Sequence, residues 1–204
     1  SPAETGRRAR EAGGAGSSIV LAAITSCTNT ANPAALVTAG LVARRALRLG
    51  LAVPDRVKTS FTPGSASAAE LLTASGLQDD LDALGFQVAG FGCGTCMGNS
   101  GPLNDGVSAW LAESGIRGAA VLSGNRNFPG RIHPDVSDSY LASPALVVAA
   151  ALAGTVEVDL DTDPLAHNES GEPVHLADLW PDADEVAAIA DDHGAGAMRS
   201  AATR

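Results

Sequence analysis

Apolar and polar residues fall in blocks along this chain rather than alternating one by one. Ser18–Ile24 is a short unbroken apolar run, which suits a strand buried on both faces, and it ends in the polar stretch Thr25–Thr30. Asn32 followed by Pro33 marks a helix start, and the helix is expected to run to about Leu49. A short strand near Val57–Phe61 leads to Pro63-Gly64-Ser65, where Ser65 caps a helix ending at Ser75. A helical turn over Asp79–Leu84 precedes a strand over Gln87–Phe91, which stops at Gly92-Cys93. A helix near Val107–Ser114 and a strand over Ala119–Leu122 follow, the strand stopping at Ser123-Gly124-Asn125-Arg126. Ser143 caps and Pro144 opens a helix to about Ala153, ended by Gly154. Thr155–Leu160 reads as the last strand, and Asp182–Asp192 as the last helix before a loose tail.

Strands alternating with helices imply an α/β fold, a three-layer sandwich whose largely parallel sheet is covered on both faces. In such sheets the ligand sits beyond the carboxyl ends of the strands. Cys27, Cys93 and the pair Asn125-Arg126 each follow a predicted strand directly, so residues far apart in sequence are expected to converge on one edge. Residues 1–17, polar, arginine-bearing and rich in Gly and Ala, read as a linker. Residues 18–160 read as the α/β domain, and 161–204 as a C-terminal extension with one helix and a loose tail.

Composition narrows the picture. Aromatic residues make up 3% of a chain that is 45% hydrophobic, so the core has to be built from Ala, Val, Leu and Ile. A formal charge of −10 argues against a nucleic-acid surface or an anionic membrane surface, both of which need clustered basic residues. Positive charges are scarce, and Lys58 is the only lysine among 13 basic residues. No segment has the length of a transmembrane helix or the apolar core of a signal peptide. Free thiols favour a reducing, cytoplasmic setting.

The 3 cysteines are a lone Cys27 and the pair in Cys93-Gly94-Thr95-Cys96. An odd count does not suit a self-contained set of disulfides. It suits a [4Fe-4S] cluster held by three thiolates with its fourth iron open. The Cys-x-x-Cys spacing by itself leaves other readings open: half of a zinc site, a redox pair, or two small buried residues. A Cys₃His zinc site would need His133, His167, His175 or His193 as its fourth ligand, and His167 and His175 lie in a polar stretch that reads as solvated.

The flanks are more specific. Ile24-Thr25-Ser26-Cys27-Thr28-Asn29-Thr30 and Lys58-Thr59-Ser60-Phe61-Thr62-Pro63-Gly64-Ser65 come first. Cys93-Gly94-Thr95-Cys96-Met97-Gly98-Asn99-Ser100-Gly101-Pro102-Leu103 and Ser123-Gly124-Asn125-Arg126-Asn127-Phe128-Pro129-Gly130-Arg131-Ile132-His133-Pro134 follow in that order. From about Ser18 to Ala188 this closely resembles the cluster-bearing third domain of the aconitase family, in the branch of aconitase A and the iron regulatory proteins. Gly94 departs from the family pattern, which carries a larger residue there.

The resemblance implies a [4Fe-4S] hydro-lyase that interconverts citrate and isocitrate through cis-aconitate, a reaction of the tricarboxylic acid cycle. It implies Cys27, Cys93 and Cys96 as cluster ligands, Arg126 and Arg131 as carboxylate-binding residues, and Asn125 beside the cluster. Arginine suits that role because its planar fork makes two parallel charge-assisted hydrogen bonds to a carboxylate. Thr28, Asn29, Asn99 and Ser100 would donate hydrogen bonds near the cluster or serve the turns they stand in. His133 carries no catalytic role. Related acids, such as methylcitrate, a homologue or a phosphinate analogue, are alternative substrates. An iron-sensing RNA-binding regulator is the alternative outside catalysis, and the acidic balance weighs against it. The family's further catalytic residues, an Asp-Ser-His stretch and a Ser-Arg pair whose serine is the base, have no counterpart here. The chain is therefore expected to work with the remaining aconitase-like domains, in cis or as a partner subunit, and to be folded but inactive alone.

Overall fold

The computed structural model describes residues 16–25, 32–92, 100–124 and 130–202, with side chains to residue 193. Cys27, Thr28, Asn29, Cys93, Cys96, Asn99, Asn125 and Arg126 lie outside them.

Strand β1 (Ser17–Thr25) is buried along its whole length, as its apolar run demands. It is flanked by β2 (Lys58–Thr62) on one side and β3 (Arg117–Leu122) on the other, and β4 (Val136–Leu141) pairs with β3. All three pairings are parallel, giving one sheet in the order β2-β1-β3-β4. The register shifts between Ile19 and Leu21. That irregularity is visible in the packing: Ile19, Ala22 and Ile24 face one apolar cluster, and Val20, Leu21 and Ala23 the other.

Helices cover both faces. On one lie α1 (Pro33–Arg48), α2 (Ala66–Ala74), α3 (Leu77–Ala83) and α5 (Pro144–Ala153), which supply most of the larger cluster. On the other, α4 (Val107–Ser114) packs Val107 and Leu111 against Val20, Leu21, Ala120 and Leu122. The architecture is thus the three-layer α/β sandwich that the alternation of strand-like and helix-like runs predicts. The caps are those expected: Asn32 Oδ1 accepts from Ala34 N–H at 3.0 Å, Ser65 Oγ from Ala68 N–H at 3.2 Å, and Ser143 Oγ from Leu146 N–H at 3.4 Å.

The structure differs from the sequence reading at several elements, among them a hairpin and a short helix in the C-terminal extension, where the sequence predicts one helix and a loose tail. Gln87–Phe91 is not a strand: Val88 makes a lone parallel bridge to Phe61, with Gln87 O accepting from Phe61 N–H and Ala89 N–H donating back to Phe61 O, both at 2.9 Å. Nor is Thr155–Leu160, where only Thr155 bridges to Ser18. Beyond it, Asp159 Oδ1 and Asp163 Oδ2 accept from the N–H groups of Asp161 and Asp159, so aspartates take the donors a ladder would need. β4 has no counterpart in the reading because Val-Ser-Asp-Ser-Tyr-Leu is too polar to look like a buried strand. It is an edge strand, where a polar outer side is tolerated. The last helix, α7 (Ala183–Ala202), continues through Gly194 and Gly196 to residue 202.

Residues 161–202 add the two-stranded hairpin of β5 (Ala166–His167) and β6 (Pro173–Val174), the short α6 (Leu176–Leu179), and α7. Leu165, Val174, Leu179 and Val186 belong to the same buried cluster as Ile19 and Leu41. No helix among the described residues is long and apolar enough to cross a membrane.

Candidate functional site

Because the central strands are parallel, their carboxyl ends share an edge. Thr25, the last residue of β1, pairs in register with Thr62, the last of β2, while Leu122 ends β3 beside Ala23. The stretches named from the sequence leave from these ends. Residues 26–31, with Cys27, follow Thr25, and residues 125–129 follow Ser123 and Gly124.

Ser123 ties the first and last of these departures together. Its Oγ accepts from Thr25 N–H at 2.9 Å and donates to Thr25 O at 3.3 Å, and its own N–H donates to Ala23 O at 3.1 Å. Ser123 and Thr25 are both fully buried. The Ser123 hydroxyl is what that position needs, since leaving the buried Thr25 N–H unpartnered costs about 1–3 kcal/mol.

The other cysteine stretch hangs from β2. Gly92 N–H donates to Pro63 O at 3.2 Å, just beyond the end of that strand. On the far side of residues 93–99, Ser100 O and Pro102 O accept from Lys58 Nζ at 2.5 and 2.7 Å, and Asn104 Nδ2 donates to Asp55 O at 2.7 Å. Both ends of the stretch meet at one cavity of about 380 Å³, lined by Lys58, Ser60, Thr62, Gln87, Phe91 and Ser100 among others. In its wall the hydroxyls of Thr62 and Ser100 are buried and have no hydrogen-bond partner among the described residues. Phe91, two positions before Cys93 in sequence, is 65% exposed.

Arg131 stands apart from this edge. It is exposed, in a turn whose Gly130 N–H donates to Val136 O at 3.0 Å, and Val136 pairs with Gly118 near the start of β3. Arg131 has no hydrogen-bond or ion-pair partner among the described residues. Arg44, Arg45 and Arg117, by contrast, pair with Asp80, Glu185 and Asp138. His133 Nδ1 accepts from Asp135 N–H at 3.2 Å, which fits a structural role. Among the described residues no group of His, Cys, Asp and Glu forms a metal site, and all three cysteines lie outside them.

Lys58, Thr62 and Ser123 stand inside the family-like motifs, but sequence reasoning assigned none of them a role at this edge: Thr62 and Ser123 lie at the carboxyl ends of β2 and β3, and Lys58 starts β2 and reaches the cavity with its side chain. Away from the edge, the Tyr140 phenol is pushed above its ordinary pKa by burial first, then by the charges of Asp138 and Glu157, with Arg117 opposing.

The sheet is a parallel α/β sheet in which the ends of β1 and β3 lead into the Cys27- and Asn125-bearing stretches and Gly92 is held beside the end of β2, and in such sheets ligands sit at the carboxyl edge. Comparison with known proteins identifies the family. Residues 4–154 match the family described as Aconitase family (aconitate hydratase), and this chain belongs to it. It is 56% identical over 179 residues to the phosphinomethylmalate isomerase of Streptomyces viridochromogenes, a match covering 86% of this chain and 20% of that protein. It is 55% identical over 171 residues to the aconitate hydratase A of Bradyrhizobium diazoefficiens, covering 84% of this chain and 19% of that protein. With the aconitate hydratase A of Staphylococcus aureus strain MW2 it shares 53% identity over 173 residues, 85% of this chain and 19% of that protein. The chain thus spans about a fifth of the length of these curated relatives.

Proposed function

We propose that this chain is the cluster-binding part of an aconitase-like hydro-lyase. In this reading Cys27, Cys93 and Cys96 hold a [4Fe-4S] cluster, and Asn125, Arg126 and Arg131 address a tricarboxylate substrate. The observation that carries it is the common edge: the Cys27 and Asn125–Arg126 stretches follow the carboxyl ends of β1 and β3, and Gly92, the residue before Cys93, is held by Pro63 just past the carboxyl end of β2. The donor set suits the group, since three thiolates hold a cubane and leave one iron open. When bound, that iron supplies Lewis acidity toward a substrate hydroxyl.

The chain's own residues then have separable tasks. Ser123 fixes the distance between the Cys27 and Asn125 departures. β2 fixes the paired cysteines at both ends of their stretch. Arg126 and Arg131 grip carboxylates, and the exposed Arg131, which has no partner among the described residues, has a fork available for that. The base and the rest of the pocket come from other aconitase-like domains, in cis or in a partner subunit, because the chain spans a fifth of its relatives and holds no Ser-Arg pair. Three cysteines kept as thiolate ligands suit a reducing compartment, the cytoplasm.

A second substrate reading has a specific observation behind it. The relative at 56% identity is a phosphinomethylmalate isomerase, so the substrate can be a phosphinate-bearing acid instead of citrate. Arginine forks bind either oxyanion, and the residues that make the choice lie partly outside this chain.

The test is anaerobic reconstitution with iron and sulfide, followed by metal analysis. We expect a brown protein with about four irons per chain and a broad absorption near about 400 nm. Cys27→Ser, Cys93→Ser and Cys96→Ser are each expected to lose it. A colourless, zinc-loaded protein, or normal cluster loading in Cys27→Ser, would overturn the assignment.

A further inference from the structure

Lys58 is the only lysine of the chain, and it is spent on two backbone carbonyls. No carboxylate pairs with it among the described residues. Its Nζ lies 2.5 Å from Ser100 O and 2.7 Å from Pro102 O, so the turn Ser100-Gly101-Pro102 wraps around one ammonium group. The turn is built for that approach. Gly101 has a φ of +66°, and a Cβ added there would stand 3.2 Å from Nζ. Asn104 repeats the tie one turn later through Asp55 O, and Leu103 between them is buried beneath α4.

The position of this contact gives it meaning. Ser100 is the first described residue after the stretch 93–99, and Gly92, held by Pro63 O, is the last before it. Lys58 and Pro63 bracket β2, so one rigid strand holds both ends of the segment that carries Cys93 and Cys96. We infer that Lys58 is a positioning residue: its ammonium, seated in the Ser100-Gly101-Pro102 turn, locks the carboxyl end of the Cys93–Cys96 stretch to β2 and so sets the geometry in which those thiolates are presented. An ammonium carries three donors and can bind both carbonyls at once, and such charge-assisted bonds resist local opening more than neutral ones. The inference deepens the cluster reading and rests on it only for what the held thiolates are presented to.

The experiment is alkylation of the metal-free, reduced 204-residue chain, with each cysteine followed by mass spectrometry. Cys27 leaves from β1 and serves as the internal reference. Lys58→Met is expected to speed modification of Cys93 and Cys96 on the order of tenfold, with Cys27 within about twofold of its original rate. Gly101→Ala, which crowds the same ammonium from the turn, is expected to show the same selectivity. Equal acceleration of all three cysteines in both variants would mean general destabilisation and would sink the idea, as would unchanged rates at Cys93 and Cys96. Reconstituted Lys58→Met should also release iron to a chelator faster than the parent. If the parent takes up no cluster while Lys58→Met still frees Cys93 and Cys96 selectively, the cluster reading fails and the latch stands. Normal cluster loading with unchanged alkylation is the converse, in which the latch alone fails.

Discussion

Single residues at the carboxyl edge act through one or two atoms each. The Ser123 hydroxyl both accepts from and donates to the Thr25 backbone in a fully buried position, where neither group has water to fall back on. On the opposite side of β3, Tyr140 shows how burial and charge combine. It is the only tyrosine, partly buried, and its phenol is held protonated by burial and by the nearby charges of Asp138 and Glu157. The folded-state pKa therefore lies above that of the unfolded chain, near about 10. The sign of the linkage is fixed: the contribution to stability is complete below the unfolded pKa and is lost as pH rises through the folded one. We expect the near-ultraviolet phenolate absorption of the native protein to rise at higher pH than that of the denatured protein. Tyr140→Phe should flatten the alkaline fall in stability, measured by denaturant midpoints above about pH 10. Coincident native and denatured titrations would contradict this.

Elements are placed by close approaches as much as by apolar area. α1 and α3 meet at Gly40, where a Cβ would lie 2.6 Å from the Leu77 Cβ, a distance that ordinary packing does not allow. That contact sits at the root of a side chain and cannot be relieved by rotating its far end. Gly40→Ala would gain about 1 kcal/mol of helix propensity but is expected to cost more, on the order of 1–3 kcal/mol net, through overpacking. Urea unfolding of the variant checks this, and a midpoint equal to or above that of the parent would show that α3 can shift freely. The element-level reading from sequence succeeded where local chemistry fixes the ends: Asn32-Pro33, Ser65 and Ser143-Pro144 each start a helix as expected. It failed at Thr155–Leu160 and at β4, where pairing depends on neighbours that the segment does not contain. Of the candidate site, the cysteines, Asn125 and both arginines were legible as motifs. Lys58 and Ser123 stand inside those motifs, but their roles were not legible, because each is defined by which backbone atoms it reaches.

At the scale of the whole molecule, two apolar clusters close on either face of the sheet, and the segment after residue 160 contributes Leu165, Val174, Leu179 and Val186 to the larger one. A core of that extent is what an independently folding unit needs. We expect the reconstituted chain to unfold cooperatively yet to show no turnover with citrate, isocitrate or cis-aconitate, and activity to appear only when the remaining aconitase-like domains are supplied. Hydration of cis-aconitate by this chain alone would place the base within it and undo that division of labour.

By itself the sequence determined the alternation of strands and helices, the helix starts, the family-like motifs and the odd set of thiols, because each is encoded in neighbouring residues. Only the tertiary structure decided that Thr25, Thr62 and Ser123 share an edge, that β2 holds both ends of the Cys93–Cys96 stretch, and that Arg131 lies on the return toward β4. The physical reason is that a parallel sheet joins residues separated by tens of positions through backbone hydrogen bonds. Those bonds depend on register and crossover, which no local pattern of side chains specifies.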